Sequence, residues 1–221
     1  PQSCNLTNAN GCDSTAILNL TINQADTSYT NITACDSLVW NGVTYDSSGV
    51  YTFLPEFIQL GQDIDGEAQD DYSGGSVSLS SDGSIMAIGA FENDGNGSKS
   101  GHVRVYEIIG GSWLQIGQDI DGEAAWDKSG WSVSLSSDGN TVAIGALGND
   151  GNGSNSGHVR IYQNIGGSWS QIGGDIDGEA DNDQSGYSVS LSSDGNTVAI
   201  GAPDNNGINS SSGHVRVYQN V

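Results

Sequence analysis

Propeller-type blades in an all-β chain are what this sequence predicts, on three observations. A unit of 56 residues occurs three times without insertion or deletion: His102, His158 and His214 stand one period apart, as do the "DIDGEA" motifs at Asp63, Asp119 and Asp175 and the "SVSLSSDG" motifs at Ser76, Ser132 and Ser188. Each unit holds four short segments that alternate or are rich in β-branched residues, bounded by Gly, Asn, Asp or Ser clusters. No stretch carries a 3.6-residue apolar pattern. A fixed period of this size marks a solenoid, a propeller or an array, and four antiparallel strands per period describe a propeller blade.

In the middle unit the strands are "SWLQIGQDI" from Ser112, "WSVSLS" from Trp131, "NTVAIGA" from Asn140 and "HVRIYQN" from His158. "SSDGN" between the second and third is a tight hairpin in which Asp138-Gly139 supplies the turn. The repeat domain runs over 55–221, with blades at about 57–112, 113–168 and 169–221. Ahead of it, 1–54 reads as a separate small β-sandwich-like module that holds Cys4, Cys12 and Cys35.

"SGYSVSLSSDGNTVAIGAP" from Ser185, with its sibling from Ser129, resembles the FG-GAP repeat, the blade unit of integrin-type β-propellers. The Gly-x-Ser-Val at 186–189 matches the start of that motif and the Gly-Ala-Pro at 201–203 its end. The resemblance covers about three quarters of the chain. Two departures stand out. Ser73, Ser129 and Ser185 occupy the place of the family's leading Phe, and the acidic loop between the two innermost strands is shortened to "SSDG", which leaves the family's calcium site without its usual loop.

Three blades do not close a ring, since propellers take about four to eight. The first unit opens with an outer-type strand, "FIQLGQDI" from Phe57, and the last stops at Val221 before any such strand. Either two chains join into six blades or the segment belongs to a longer chain whose other repeats complete the ring. In the first module, "GCDSTAILNLTI" (11–22) reads as a closing strand and "ACDSLVWNGVTYDSSGVYTF" (34–53) as an opening pair. These resemble tandem β modules of very large secreted bacterial surface proteins and adhesins, with the two halves in reversed order. That order reads as a chain starting inside one module and opening the next.

An odd cysteine count leaves one thiol without a partner in the segment. The likeness of "GCDST" and "ACDSL" favours a Cys12–Cys35 bridge with Cys4 paired to an outside partner; Cys4–Cys12 is the alternative. Either implies an oxidising, extracellular setting. The net charge of −22 and a pI near 4.1 argue against nucleic acid and anionic membranes as partners. No apolar run reaches the roughly 18 residues of a membrane span, so membrane insertion is not expected.

The recurring "SGHVRVY" motif sets His102, Arg104 and Tyr106 on one strand face, as it does His158 with Arg160 and His214 with Arg216. The same residues in every blade read as a structural fastening, the arginines pairing with carboxylates of "DIDGE". That motif places Asp63, Asp65 and Glu67, then Asp119, Asp121 and Glu123, then Asp175, Asp177 and Glu179 at alternate positions, where carboxylates repel unless a cation or an Arg lies among them. Calcium, which takes several carboxylate and carbonyl oxygens, is the ion they would hold. The loop "NDGNGS" offers a second such place through Asp94 and Asn96, and through Asp150 and Asn152. Positions that vary between blades point to ligand contact instead: Trp131 and Tyr187 at one, Tyr72 at another, and Trp126 in the acidic loop of the middle blade. Trp113 and Trp169 recur in "GGSW" and read as packing.

No nucleophile elbow, zinc-protease motif or phosphate-cradling loop is present, so the chain reads as non-enzymatic. The function expected is that of an extracellular adhesive or structural repeat protein, part of a larger surface adhesin or fibre, whose partners are glycans, surface proteins or copies of itself. The alternative is a carbohydrate-binding propeller lectin closed by self-association.

Overall fold

The computed structural model describes residues 3–7, 13–17, 38–40, 43–45, 57–207 and 209–221. The chain divides into two compact units, Pro1–Ile58 and Gln59–Val221. In the first, β1 (Ser3–Thr7) pairs antiparallel with β2 (Asp13–Ile17), and β3 (Leu38–Trp40) with β4 (Val43–Tyr45). Cys4 lies on β1, whereas Cys12 and Cys35 lie outside the described residues, and the proposed bridges with them.

The second unit holds three antiparallel sheets and, among the described residues, no helix. The first sheet runs in the order β5 (Ser73–Leu79), β6 (Ile85–Ala90), β7 (His102–Ile109), β8 (Ser112–Gln115), and β9 (Ile120–Asp121) pairs with the opposite end of β7. The second repeats this with β10 (Ser129–Leu135), β11 (Thr141–Ala146), β12 (His158–Ile165), β13 (Ser168–Gln171) and β14 (Ile176–Asp177). The third has only β15 (Ser188–Leu191), β16 (Thr197–Ala202) and β17 (His214–Gln219). These are propeller-type blades.

One grouping differs from the sequence reading. "SWLQIGQDI" does not head the middle blade; as β8 and β9 it forms the outer edge of the blade before it. The reason is local. Gly110 and Gly111, both at positive φ (61° and 86°), make a two-residue hairpin between β7 and β8, a turn that favours glycine at both places. Gly117, at φ 71°, then breaks the edge strand in two. Ile116 still donates its N–H to the Val105 carbonyl at 2.8 Å between the pieces.

The hairpins between each blade's first two strands are held by an aspartate. Asp138 accepts hydrogen bonds from the Ser136 hydroxyl at 2.6 Å and the Asn140 N–H at 3.0 Å. The Ser84 N–H and the hydroxyls of Ser80 and Ser84 do the same for Asp82, holding its carboxyl down at about 2.

The core lies between the blades. Val103 and Val105 on β7 meet Val133 and Leu135 on β10 and Val142 and Ile144 on β11, while Ala143 and Val159 face Val198 and Ile200 of the third blade. At the edge of this contact the backbones touch: Gly101 bridges Ser129 in parallel, and Gly157 bridges Ser185. A Cβ at Gly101 would run into the Ser129 carbonyl. Ser129 and Ser185 are fully buried at these crossings, where the resembling family carries Phe.

Candidate functional site

Alternation on β7, β12 and β17 turns His, Arg and Tyr toward the acidic motif that precedes each sheet's first strand. Arg104 donates from Nη2 to the Asp65 carbonyl at 3.2 Å and lies 3.1 Å from Glu67 Oε1 through Nη1. Arg160 repeats this on the Asp121 carbonyl at 2.7 Å and Glu123 at 3.5 Å, and Arg216 on the Asp177 carbonyl and Glu179 at 3.7 Å. Each guanidinium also lies over its own blade's tyrosine, Tyr106, Tyr162 or Tyr218, at 5.5 to 5.8 Å. The arginines therefore tie the last long strand of each sheet to the acidic motif that leads into it.

The histidines also sit beside carboxylates of the "DIDGE" motifs. His102 Nδ1 is 3.9 Å from Asp119, His158 Nδ1 is 3.9 Å from Glu123, and His214 Nδ1 is 3.6 Å from Glu179. Glu67, His102 and Asp119 converge on one point, as do Glu123, His158 and Asp175. Burial pushes the imidazoles of His102 and His158 below their ordinary range. Asp119 opposes that shift at His102, and Arg160 adds to it at His158. A neutral imidazole with two carboxylates is a donor set that suits zinc, nickel or copper more than calcium.

The three carboxylates of one "DIDGE" motif part company. Asp119 accepts from Gln115 Nε2 at 2.6 Å, Asp175 from Gln171 at 2.7 Å, and Asp63 from Gln59 at 2.8 Å. Asp121 and Asp177 turn to the glycines Gly95 and Gly151 of the facing "NDGNGS" loops. Glu123 reaches forward to Arg160. Within those loops, Asp94 accepts the Lys99 N–H at 2.7 Å and Asp150 the Asn155 N–H at 2.8 Å. Asn96 donates to the Gly122 carbonyl at 2.8 Å, and Asn152 to that of Gly178 at 2.9 Å. These loops close on themselves and staple neighbouring periods.

A set of residues that the motif search passed over lies beneath them. Asp71, Asp127 and Asp183 are buried, and each accepts from an asparagine 22 residues on: Asn93 at 3.0 Å, Asn149 at 3.1 Å and Asn205 at 2.8 Å. The fixed Asp ahead of the variable residue in "D-x-S-G", recurring with the period, was the available signal.

The variable aromatic residues form a row across the blades. Tyr72 stacks on Phe91 at 5.5 Å, Phe91 meets Trp131 edge-on at 4.9 Å, and Trp131 meets Tyr187 at 5.8 Å. Tyr72 and Tyr187 are exposed, while Trp131 is half-buried among its neighbours. Trp126 stands apart from the row, 57% exposed, with Lys99 Nζ 5.5 Å above its ring. Lys128 Nζ lies 5.8 Å from the Trp131 ring. Trp113 and Trp169 each donate their indole N–H at 2.9 Å, to the carbonyls of Leu60 and Ile116.

Residues 64–106 and 120–162 match the FG-GAP repeat family model. These two units are FG-GAP repeats. Each match starts in the "DIDGEA" motif, crosses the Asp71 or Asp127 buried pair and ends on the tyrosine of the His-Arg-Tyr face, so the arginine and the glutamate it holds both lie inside one FG-GAP unit. No curated protein matches the chain. Among solved structures, the chain is similar to a candidate 6-phosphogluconolactonase from Bacteroides uniformis at 15% identity and a TM-score of 0.42, over 65% of this chain and 35% of that one. It is also similar to the hydrazine synthase of Kuenenia stuttgartiensis (16%, 0.39, 65% and 33%) and to the periplasmic gluconolactonase of Pseudomonas aeruginosa (17%, 0.43, 65% and 38%). The chain thus spans little more than a third of the length of these structures.

Proposed function

We propose that this chain is a non-enzymatic adhesive and structural segment of a secreted surface protein, and that it grips glycans or surface proteins through loop contacts on a rigid array of FG-GAP blades. The placement of the lysines carries this reading. The chain has only two, Lys99 and Lys128, against a net charge of −22, and each lies over a tryptophan, Lys99 over Trp126 in the acidic loop and Lys128 over Trp131 on β10. Trp126 is also held at φ 74°, where the other two blades have Asp70 and Asn182. Asp and Asn tolerate the left-handed region, whereas for Trp it costs on the order of 1 kcal/mol. An exposed ring kept at that cost suits stacking on a sugar, with the Lys99 ammonium above it, itself paired with Glu92 at 2.9 Å, positioned for a hydroxyl. Several weak contacts of this kind, presented together, sum to firm attachment.

Calcium belongs to this reading as a stiffener of the acidic loops, between Asp121 or Asp177 and the "NDGNGS" loop each one faces. Chelation should then lower the melting temperature, and restored calcium should raise it by mass action.

A glycan array, probed with the chain displayed on beads, tests the proposal. Binding that depends on Trp126 and weakens steeply when the display density falls supports adhesion. Tight, density-independent binding to one sugar, lost on Trp131→Ala, favours the lectin alternative. Failure to bind any glycan or cell surface overturns both.

A further inference from the structure

We propose that Glu67, His102 and Asp119, and one period on Glu123, His158 and Asp175, form two binding sites for a divalent ion of the zinc class. In each triad the donor atoms lie within 4.8 Å of one another. The imidazole stands on the last long strand of a sheet, β7 or β12. The glutamate comes from the acidic motif that leads into that sheet, and the aspartate from the motif that leads out of it, beside the short edge strand β9 or β14. Pairing of His102 with Asp121, and of His158 with Asp177, fixes the backbone that carries the second carboxylate. An ion held there would tie both motifs to the strand between them.

Two features separate these triads from the carboxylate clusters common on so acidic a chain. The first is the imidazole. His102 and His158 are 2% and 1% exposed, and their Nδ1 atoms stop 3.9 Å from Asp119 Oδ2 and Glu123 Oε2, beyond hydrogen-bond reach. Nε2 of His158 is also buried with no partner among the described residues. Burial keeps both rings in the neutral form that ligates a metal. The second feature is how the carboxylates are held. Asp119 gives Oδ1 to Gln115 and turns Oδ2 to His102, while Glu123 gives Oε1 to Arg160 and turns Oε2 to His158. Anchoring one oxygen from outside while the other faces the imidazole is how ligating carboxylates are oriented. Calcium and magnesium take oxygen donors, whereas a buried imidazole favours zinc, nickel or copper. Donors at the roughly 2.1 Å that zinc takes stand about 3.4 Å apart around it. Small rotations of the partly exposed carboxylates close the 3.9 Å gaps to that spacing. Three protein donors leave a fourth position for water.

Isothermal titration of the metal-stripped chain with zinc chloride, in millimolar calcium to fill oxygen-only sites, tests the proposal. The wild-type chain should take up two ions more than the variant carrying Asp119→Asn and Asp175→Asn together, and each single variant should lose one. The comparison cancels any zinc held by the cysteines. Asparagine keeps the size of the side chain and an acceptor for Gln115 or Gln171, so the circular dichroism of the variants should be unchanged. Zinc should also raise the melting temperature of the wild-type chain more than that of the double variant. A readout on the wild-type chain alone is the NMR of the histidine ring nitrogens, where zinc should shift Nδ1 of His102 and His158. Equal zinc uptake by the wild-type chain and the double variant, loss of the uptake to calcium, or unmoved Nδ1 signals would each overturn the proposal.

Discussion

Arg160 holds Glu123 of the acidic motif at 3.5 Å while donating to the Asp121 carbonyl at 2.7 Å, and it does so from a side chain that is almost wholly buried. Glu123 is nearly half exposed, so the ion pair itself is screened; the hydrogen bond to a fixed carbonyl carries more of the stabilisation. Arg160→Ala removes both and leaves the Asp121 carbonyl short of a donor. We expect a loss of about 2 kcal/mol in urea unfolding, with Arg216→Ala costing less because its surroundings are open. Equal losses at the two positions would show that the fastening does not depend on burial.

Trp126 makes a prediction of opposite sign. Asn relieves the left-handed backbone at φ 74° and matches Asn182 of the next blade. Trp126→Asn should stabilise the fold by about 0.5 kcal/mol, a rise of one or two degrees in melting temperature, while weakening glycan binding. Destabilisation instead would mean that the ring contributes packing that outweighs the strain.

The period, the strands and the short hairpins were legible because they are local: alternation, β-branching and Asp-Gly or Gly-Gly turns act within a few residues. The assignment of β8 to the preceding blade was available in Gly110-Gly111, but grouping by motif order obscured it. The buried Asp127–Asn149 bond and the pairing of Lys99 with Trp126 join residues 22 and 27 positions apart. Burial and approach across a boundary have no signature in a single strand's pattern. The divergence of Asp119, Asp121 and Glu123 was unreadable for a related reason: alternation places them on one face, but the break at Gly117 and the return to β7 send each to a different neighbour.

Acid should weaken the blades in two stages. Burial lowers the imidazoles of His102 and His158 below their unfolded value of 6.5. A depressed folded value contributes stability that is present above pH 6.5 and lost as pH falls below it, because the unfolded chain takes up the proton first. Asp82, Asp138 and Asp194 are likewise lowered by their hairpin hydrogen bonds, so their contribution is lost only below the ordinary carboxylate value of 3.8. Melting temperatures between pH 8 and 3 should therefore decline from near 6.5 and again below 4. His102→Gln and His158→Gln together should flatten the first decline and leave the second; an unaltered profile in the double variant would exclude the buried imidazoles as its cause.

Gly145 and Gly201 occupy the same place in successive blades with different surroundings. A Cβ at Gly145 would run into the Gly186 carbonyl of the next blade, a backbone atom that cannot move without opening the interface that buries Ala143, Val159 and Ile200. Overpacking of this kind costs about 1–3 kcal/mol in ordinary cores, and a backbone obstacle puts Gly145→Ala at the upper end. At Gly201 the corresponding Cβ meets only the Ser188 hydroxyl, which can rotate away. Urea unfolding should show a loss of about 3 kcal/mol for the first substitution and almost none for the second. Similar losses at both would mean that the glycine is required by the strand itself, and that close blade approach is a consequence of the glycine and not its reason.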